Sequence, residues 1–126
     1  MIVYLFHLDQ PLPRGVSSNG TELRAGHYMG CADDLIIRID EHVMTTWEPL
    51  EEPVVLDDGR KRRGEKHGPG ATFMGFVNFM GVPWRLARTW EGGYELEKKL
   101  KSRKNAPRLC PFCNPEAYRL AKEHSL

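Results

Sequence analysis

The sequence predicts an α+β fold: a small three-stranded sheet flanked by helices, in the order β-β-α-α-β-α. Three observations predict it. Residues 2–8 form an almost unbroken apolar run rich in β-branched and aromatic side chains, the pattern of a strand covered on both faces. Much later, Trp84, Leu86 and Trp90 alternate with Arg85, Ala87 and Thr89, which is the two-residue period of another strand. Between them, apolar residues recur at helical spacing, first at Leu35, Ile36, Ile39 and Val43, then at Phe73, Phe76, Val77 and Met80. A chain of 126 residues, 40% apolar or aromatic and 28% charged, has the size and composition of one globular domain. No run approaches the ~20 apolar residues of a membrane span.

In chain order, strand one covers residues 2–8. Residues 9–26 carry Pro11, Pro13, Gly15, Gly20 and Gly26 and read as a long irregular connection, after which residues 27–32 pair back as strand two. Asp33 and Asp34 suit a helix start as N-cap and dipole partner, and helix one runs to about Met44. Residues 45–70 contain Pro49, Pro53, acidic and basic clusters and Gly68-Pro69-Gly70; only Val54, Val55 and Leu56 look ordered, so a mobile surface insertion is expected. Thr72 is placed to cap helix two, whose apolar stripe should pack on the sheet, with Gly81 at its end and Pro83 beyond. After strand three, Glu91-Gly92-Gly93 turns the chain into a last helix from Tyr94 to about Lys104. Residues 1–105 thus read as the domain and 106–126 as a C-terminal tail with a short helix at 115–124.

Charge is unevenly spread around a net +1. Residues 33–58 hold nine acids against Arg38 alone and should repel phosphate, whereas residues 85–108 hold eight bases against three acids. Lys98, Lys101 and Lys104 on the last helix, with Arg60, Lys61, Arg62 and Arg63, form stretches that could follow a nucleic-acid backbone or simply be solvated surface. The apolar opening is short, has no basic segment before it and no small-residue cleavage site after it, so a secretory leader is not expected and the expected compartment is the cytoplasm. Three cysteines, an odd number, favour reduced thiols or a metal over a disulfide framework.

Five residues stand out as candidates for chemistry: Tyr4 on strand one, Tyr28 on strand two, Arg38 and His42 on helix one, and Glu97 on the last helix. Arg38 and His42 are four apart and share a helix face, while Glu97 lies about 80° from the centre of the Leu96 and Leu100 stripe. Taken singly, the tyrosines would be ordinary strand aromatics, Arg38 and His42 a surface pair, and Glu97 a partner for Lys101 at i, i+4. In order and spacing together, Val3-Tyr4, Tyr28-Met29-Gly30, Arg38 eight residues after that glycine, His42 four later, and Leu96-Glu97 opening a basic helix resemble the GIY-YIG nuclease superfamily. The resemblance runs from strand one to the last helix and is similar to small standalone members and to the nuclease domain of the excision-repair incision subunit.

The resemblance implies a divalent-metal-dependent endonuclease acting on DNA, branched or damaged DNA included. It implies one Mg²⁺ or Mn²⁺ on Glu97, Arg38 clamping the scissile phosphate through its planar fork, and Tyr4 assisting the attacking water with Tyr28 and His42 around it. An ordinary tyrosine titrates near pH ~10 and a histidine near ~6.5, so which of Tyr4 and His42 is the base stays open. Two positions depart from the family pattern. Cys31 stands where the repair nuclease has a lysine, and Leu109 stands where it has an asparagine, with Asn105 the nearest substitute. A non-catalytic nucleic-acid-binding module on the same fold is the alternative. A further one, of another class, is a zinc-stabilised interaction domain built on Cys110 and Cys113, a lone C-x-x-C that supplies half a zinc site, with His124 and Cys31 as candidates to complete it, or else a plain turn.

Overall fold

The computed structural model describes residues 1–16, 22–114 and 116–117. The fold is α+β, and the described chain divides into two compact units: residues 1–35 with the described residues from Pro83 onward, and Ile36–Val82. Each is built around its own sheet.

In the first unit, β1 (Ile2–Val16) lies between β2 (Glu22–Ala32) and β5 (Trp84–Glu91), antiparallel to both. The apolar run at the start of β1 is explained by this central position, because a middle strand covered on both faces has no polar side to present. Side chains of paired residues share a face, so the pairs Val3 with Cys31, Leu5 with Met29, and His7 with His27 sort to one side. Tyr4 with Gly30 and Phe6 with Tyr28 sort to the other. On the first side, α3 (Tyr94–Ser102) and α4 (Ala106–Leu109) build a core from Val3, Leu5, Met29, Leu100 and Cys110, edged by Cys31, Trp90, Leu96 and Leu109.

Both strands are longer than the sequence pattern suggested. The stretch expected to be an irregular connection from residue 9 continues as β1 to Val16, and β2 begins at Glu22 rather than at residue 27. The register shifts between His7 and Leu12 and again between Pro13 and Gly15, the segment whose prolines lack the N–H of a regular ladder. In β5, a shift between the partners of Leu5 and Phe6 passes over Ala87. It lets two residues of the same parity face opposite ways: Trp84 lies tilted against Phe6 at 4.7 Å, while Trp90 packs against the core of Val3 and Leu5. A strict two-residue period puts both tryptophans on one face, and the bulge corrects that.

The second unit contains the largest correction. The segment expected to be a mobile, irregular insertion at residues 45–70 is a β-hairpin of β3 (Thr46–Val55) and β4 (Lys61–His67), turned at Asp57-Asp58-Gly59 with Gly59 at φ 86°. The chain order is therefore β-β-α-β-β-α-β-α-α, with a second, two-stranded sheet. The hairpin was hidden because almost every residue in it is exposed, so no apolar alternation marks it, and because Pro49 and Pro53 sit where its register shifts. One interaction fastens it. The ring of Trp47 lies across Gly64, the buried residue of β4, and meets Phe76 and Phe79 edge-on at 5.1 and 5.3 Å.

In this unit α1 (Leu35–Val43) turns a different face inward from the one the apolar spacing suggested, whereas α2 (Thr72–Phe79) follows that spacing in part, through Val77 and Phe76. In α1, Ile36 and Val43 are exposed and His42 is the buried residue. In α2, Met74, Gly75 and Val77 are buried while Met80 is exposed, and the helix packs against β3. Its N-cap is Ala71 rather than Thr72, with no side-chain cap. Gly81 ends it in the left-handed region at φ 70°, as the sequence suggested. The tail contributes α4, which the sequence did not reveal, and Glu116 and Ala117 are helical; the rest of the helix expected at 115–124 lies outside the described residues. Among the described residues no helix is long and apolar enough to cross a membrane.

A methyl group at Gly64 would overlap the indole of Trp47, so Gly64→Ala must displace that ring from its aromatic cluster. The substitution is expected to lower unfolding free energy by about 1–3 kcal/mol, the usual cost of overpacking, measured by urea denaturation. Unchanged stability would show that the ring does not hold the hairpin.

Candidate functional site

The tyrosines come together through strand register. Tyr4 is 1% exposed, its ring centroid 6.3 Å from that of Tyr28, with Phe6 tilted against Tyr4 at 4.8 Å and stacked on Tyr28 at 6.2 Å. Gly30, the register partner of Tyr4, leaves room for the phenol: a Cβ there would stand 2.5 Å from the tyrosine oxygen. The glycine of the Tyr28-Met29-Gly30 motif is thus needed for a close approach rather than for a turn.

Glu97 lies in the first turn of α3 and is nearly buried. One carboxylate oxygen is 3.2 Å from the Lys101 ammonium, and the other accepts the thiol of Cys31 at 3.7 Å. Burial first, and then the Glu97 carboxylate, push the Cys31 thiol up, which keeps it a neutral donor. The contact puts Glu97 on the core side of the sheet, whereas Tyr4 and Tyr28 belong to the opposite side by register. Cys31 therefore stands beside Glu97 on that side of the sheet.

Arg38 and His42 belong to the second unit. The Arg38 guanidinium donates to the Pro69 carbonyl at 3.1 Å and reaches Glu41 at 3.4 Å. His42 is fully buried and its Nδ1 accepts the backbone N–H of Ala71 at 3.2 Å. Around it, Thr45 Oγ1 donates to the Glu41 carbonyl and accepts the Gly70 N–H, both at 2.6 Å. Asn78 donates to the carbonyls of His42 and Thr45 at 2.8 and 2.7 Å. The network closes the C-terminal end of α1 and sets the start of α2. Gly68 and Gly70, which the sequence marked only as loop formers, sit close against Thr45 and the end of α1.

The basic residues divide. Arg60 is paired with Asp58 at 2.5 Å and Arg62 with Glu65 at 3.2 Å on the exposed hairpin, where Lys61 and Arg63 also lie. Lys98 and Lys104 are exposed near α3, and Lys101 is engaged with Glu97.

A separate group of side chains lies wholly within the first unit: His7, His27, Cys110 and Cys113, whose ligand atoms all lie within 4.8 Å of one another. The sequence pointed to Cys110 and Cys113 but paired them with Cys31 and His124. Cys31 is at Glu97 instead, and His124 lies outside the described residues. The two histidines were missed because their meeting depends on β1–β2 register, with His7 opposite His27. No known protein family, curated protein or solved structure matches the chain.

Burial, then the adjacent Arg38 charge, lowers the pKa of His42 from 6.5 to about 4, so the ring is neutral near pH 7 and free to accept the Ala71 N–H. A group whose folded pKa is depressed contributes stability above its unfolded value and loses it as pH falls through the folded value. Between pH ~7 and ~4 the wild type is therefore expected to lose about 3 kcal/mol relative to His42→Asn, whose amide oxygen can accept the same bond without titrating. Chemical denaturation across that range measures it, and a pH-independent difference would contradict the neutral, buried ring.

Proposed function

We propose that the chain is a divalent-metal-dependent endonuclease of the GIY-YIG kind, hydrolysing phosphodiester bonds of DNA. The observation that carries the reading is the tyrosine pair on adjacent strands, with Gly30 kept bare beneath the Tyr4 phenol. A central β1 flanked by β2 and β5 agrees with the predicted three-stranded sheet.

Phosphodiester hydrolysis needs an activated water, stabilised phosphoryl oxygens and a stabilised leaving oxygen. Glu97 fits Mg²⁺ or Mn²⁺ as a single fixed carboxylate, since a hard cation that keeps most of its waters takes few protein ligands. When bound, the ion would supply Lewis acidity toward a phosphate oxygen. Lys101 and the Cys31 thiol orient the Glu97 carboxylate. The resemblance assigns the scissile phosphate to the planar fork of Arg38, a residue of the second unit that here donates to the Pro69 carbonyl and Glu41. The resemblance assigns the attacking water to Tyr4 and Tyr28, and the proton to Tyr4 rather than His42 because the Nδ1 of His42 is committed to Ala71; register sets the tyrosines on the face of the sheet opposite Glu97, which counts against a single shared centre. Lys98 and Lys104 on and after α3 supply backbone attraction, more than the arginines of the hairpin that already pair with acids.

The test is nicking of supercoiled plasmid and of a branched oligonucleotide in Mn²⁺, Mg²⁺ or EDTA. Metal-dependent cleavage is expected, with Glu97→Gln, Arg38→Ala and Tyr4→Phe each slower by about 10²-fold or more while remaining folded. Salt-sensitive DNA retention without cleavage in any metal would overturn the catalytic reading in favour of a binding module.

A further inference from the structure

We propose that His7, His27, Cys110 and Cys113 form a closed, tetrahedral zinc site that fastens the C-terminal segment to the sheet. The proposal does not rest on the nuclease reading.

The geometry is that of four ligands around one ion. Cys110 Sγ is 3.4 Å from His7 Nδ1, Cys113 Sγ is 3.6 Å from the same nitrogen, and Cys113 Sγ is 3.5 Å from His27 Nε2. A tetrahedral zinc with Zn–S near 2.3 Å and Zn–N near 2.05 Å separates its sulfur and nitrogen ligands by about 3.5 Å. Hydrogen bonding accounts for the contacts less well. Both sulfurs point at His7 Nδ1, and an imidazole nitrogen has one lone pair, so only one thiol can donate to it.

Local structure presents the four groups. Register pairing sets His7 and His27 on the core face of the sheet with rings 5.3 Å apart. The short α4 leads into a tight turn in which the N–H groups of Cys113 and Asn114 both donate to the Cys110 carbonyl, at 3.2 and 2.8 Å. That turn brings both sulfurs to one side. Phe112, between the cysteines, lies 5.3 Å from His7 and is covered by the Arg85 guanidinium at 4.9 Å.

Two thiolates and two imidazoles select zinc over Mg²⁺ or Mn²⁺, which prefer oxygen. With four protein ligands no position is left for substrate, so the site is structural. Binding releases the two thiol protons to solvent, and two thiolates balance the dication, which suits a site whose Cys110 is fully buried. The consequence is mechanical. A helix of four residues cannot stand alone, so the ion would hold α4 and the buried Ala117 against the sheet.

The full chain, grown with zinc and dialysed against metal-free buffer, is expected to retain about one zinc per molecule, measured by emission spectrometry. Cobalt in its place should give the intense visible bands of a tetrahedral site with thiolate charge transfer in the near ultraviolet. Cys113→Ser, at an exposed position, and His27→Asn should each weaken zinc binding by at least 10-fold, whereas Cys31→Ser should not. Chelation of the wild type should lower its melting temperature and expose the C-terminal segment to limited proteolysis; this readout holds even where a variant fails to fold. A wild type without zinc, a Cys110–Cys113 disulfide in protein kept under reducing conditions, or zinc equally retained by Cys113→Ser would overturn the proposal.

Discussion

The pairing of β1 with β2 is the constraint on which both groups of chemically interesting residues in the first unit depend. Opposite Tyr4 it places Gly30, and opposite His7 it places His27, and these two pairs project from opposite faces. Side-chain direction in a strand alternates strictly, so a slip of one residue would send the phenol into the core side and scatter the histidines. The buried run from Val3 to Phe6 opposes such a slip, because Val3 and Leu5 fill the core under α3 while Tyr4 and Phe6 fill the other face. Hydrophobic packing thereby fixes where polar groups stand.

The second unit uses a different device. Its surface strands and its helix α1 bury few apolar side chains, and Ile36, Ile37, Val43 and Met44 are exposed. Cohesion comes instead from the hydrogen-bond network of His42, Thr45, Gly70, Ala71 and Asn78 and from Trp47 lying over Gly64. Buried polar networks are stable when each member is satisfied, and here one neutral imidazole takes the N–H at the start of α2. Such an arrangement is sensitive to protonation in a way that an apolar core is not.

Much of the first unit was legible in the sequence, because a central strand and a helix with an apolar stripe have strong periodic signals. The sheet of three strands and the helix from Tyr94 follow from those periods directly. The hairpin from Thr46 to His67 was illegible, since exposed strands lack alternation and prolines imitate a loop. The buried face of α1 was misjudged for a related reason: hydropathy ranks Val43 above His42, but hydrogen bonding decided which was buried. Among the site residues, the sequence could group Tyr4 with Tyr28 and note the spacing of Cys110 and Cys113. It could not join the cysteines to His7 and His27, because that contact spans about a hundred residues and needs both register and the fold of the tail.

The register of β1 against β2 is measured most directly by cross-strand proton contacts in the nuclear magnetic resonance spectrum of the folded chain. The account predicts contacts linking Tyr4 to Gly30, Phe6 to Tyr28 and His7 to His27. Contacts linking Tyr4 to Met29 or to Cys31 as direct partners would contradict it, and with it the placement of both the tyrosine pair and the histidine and cysteine cluster.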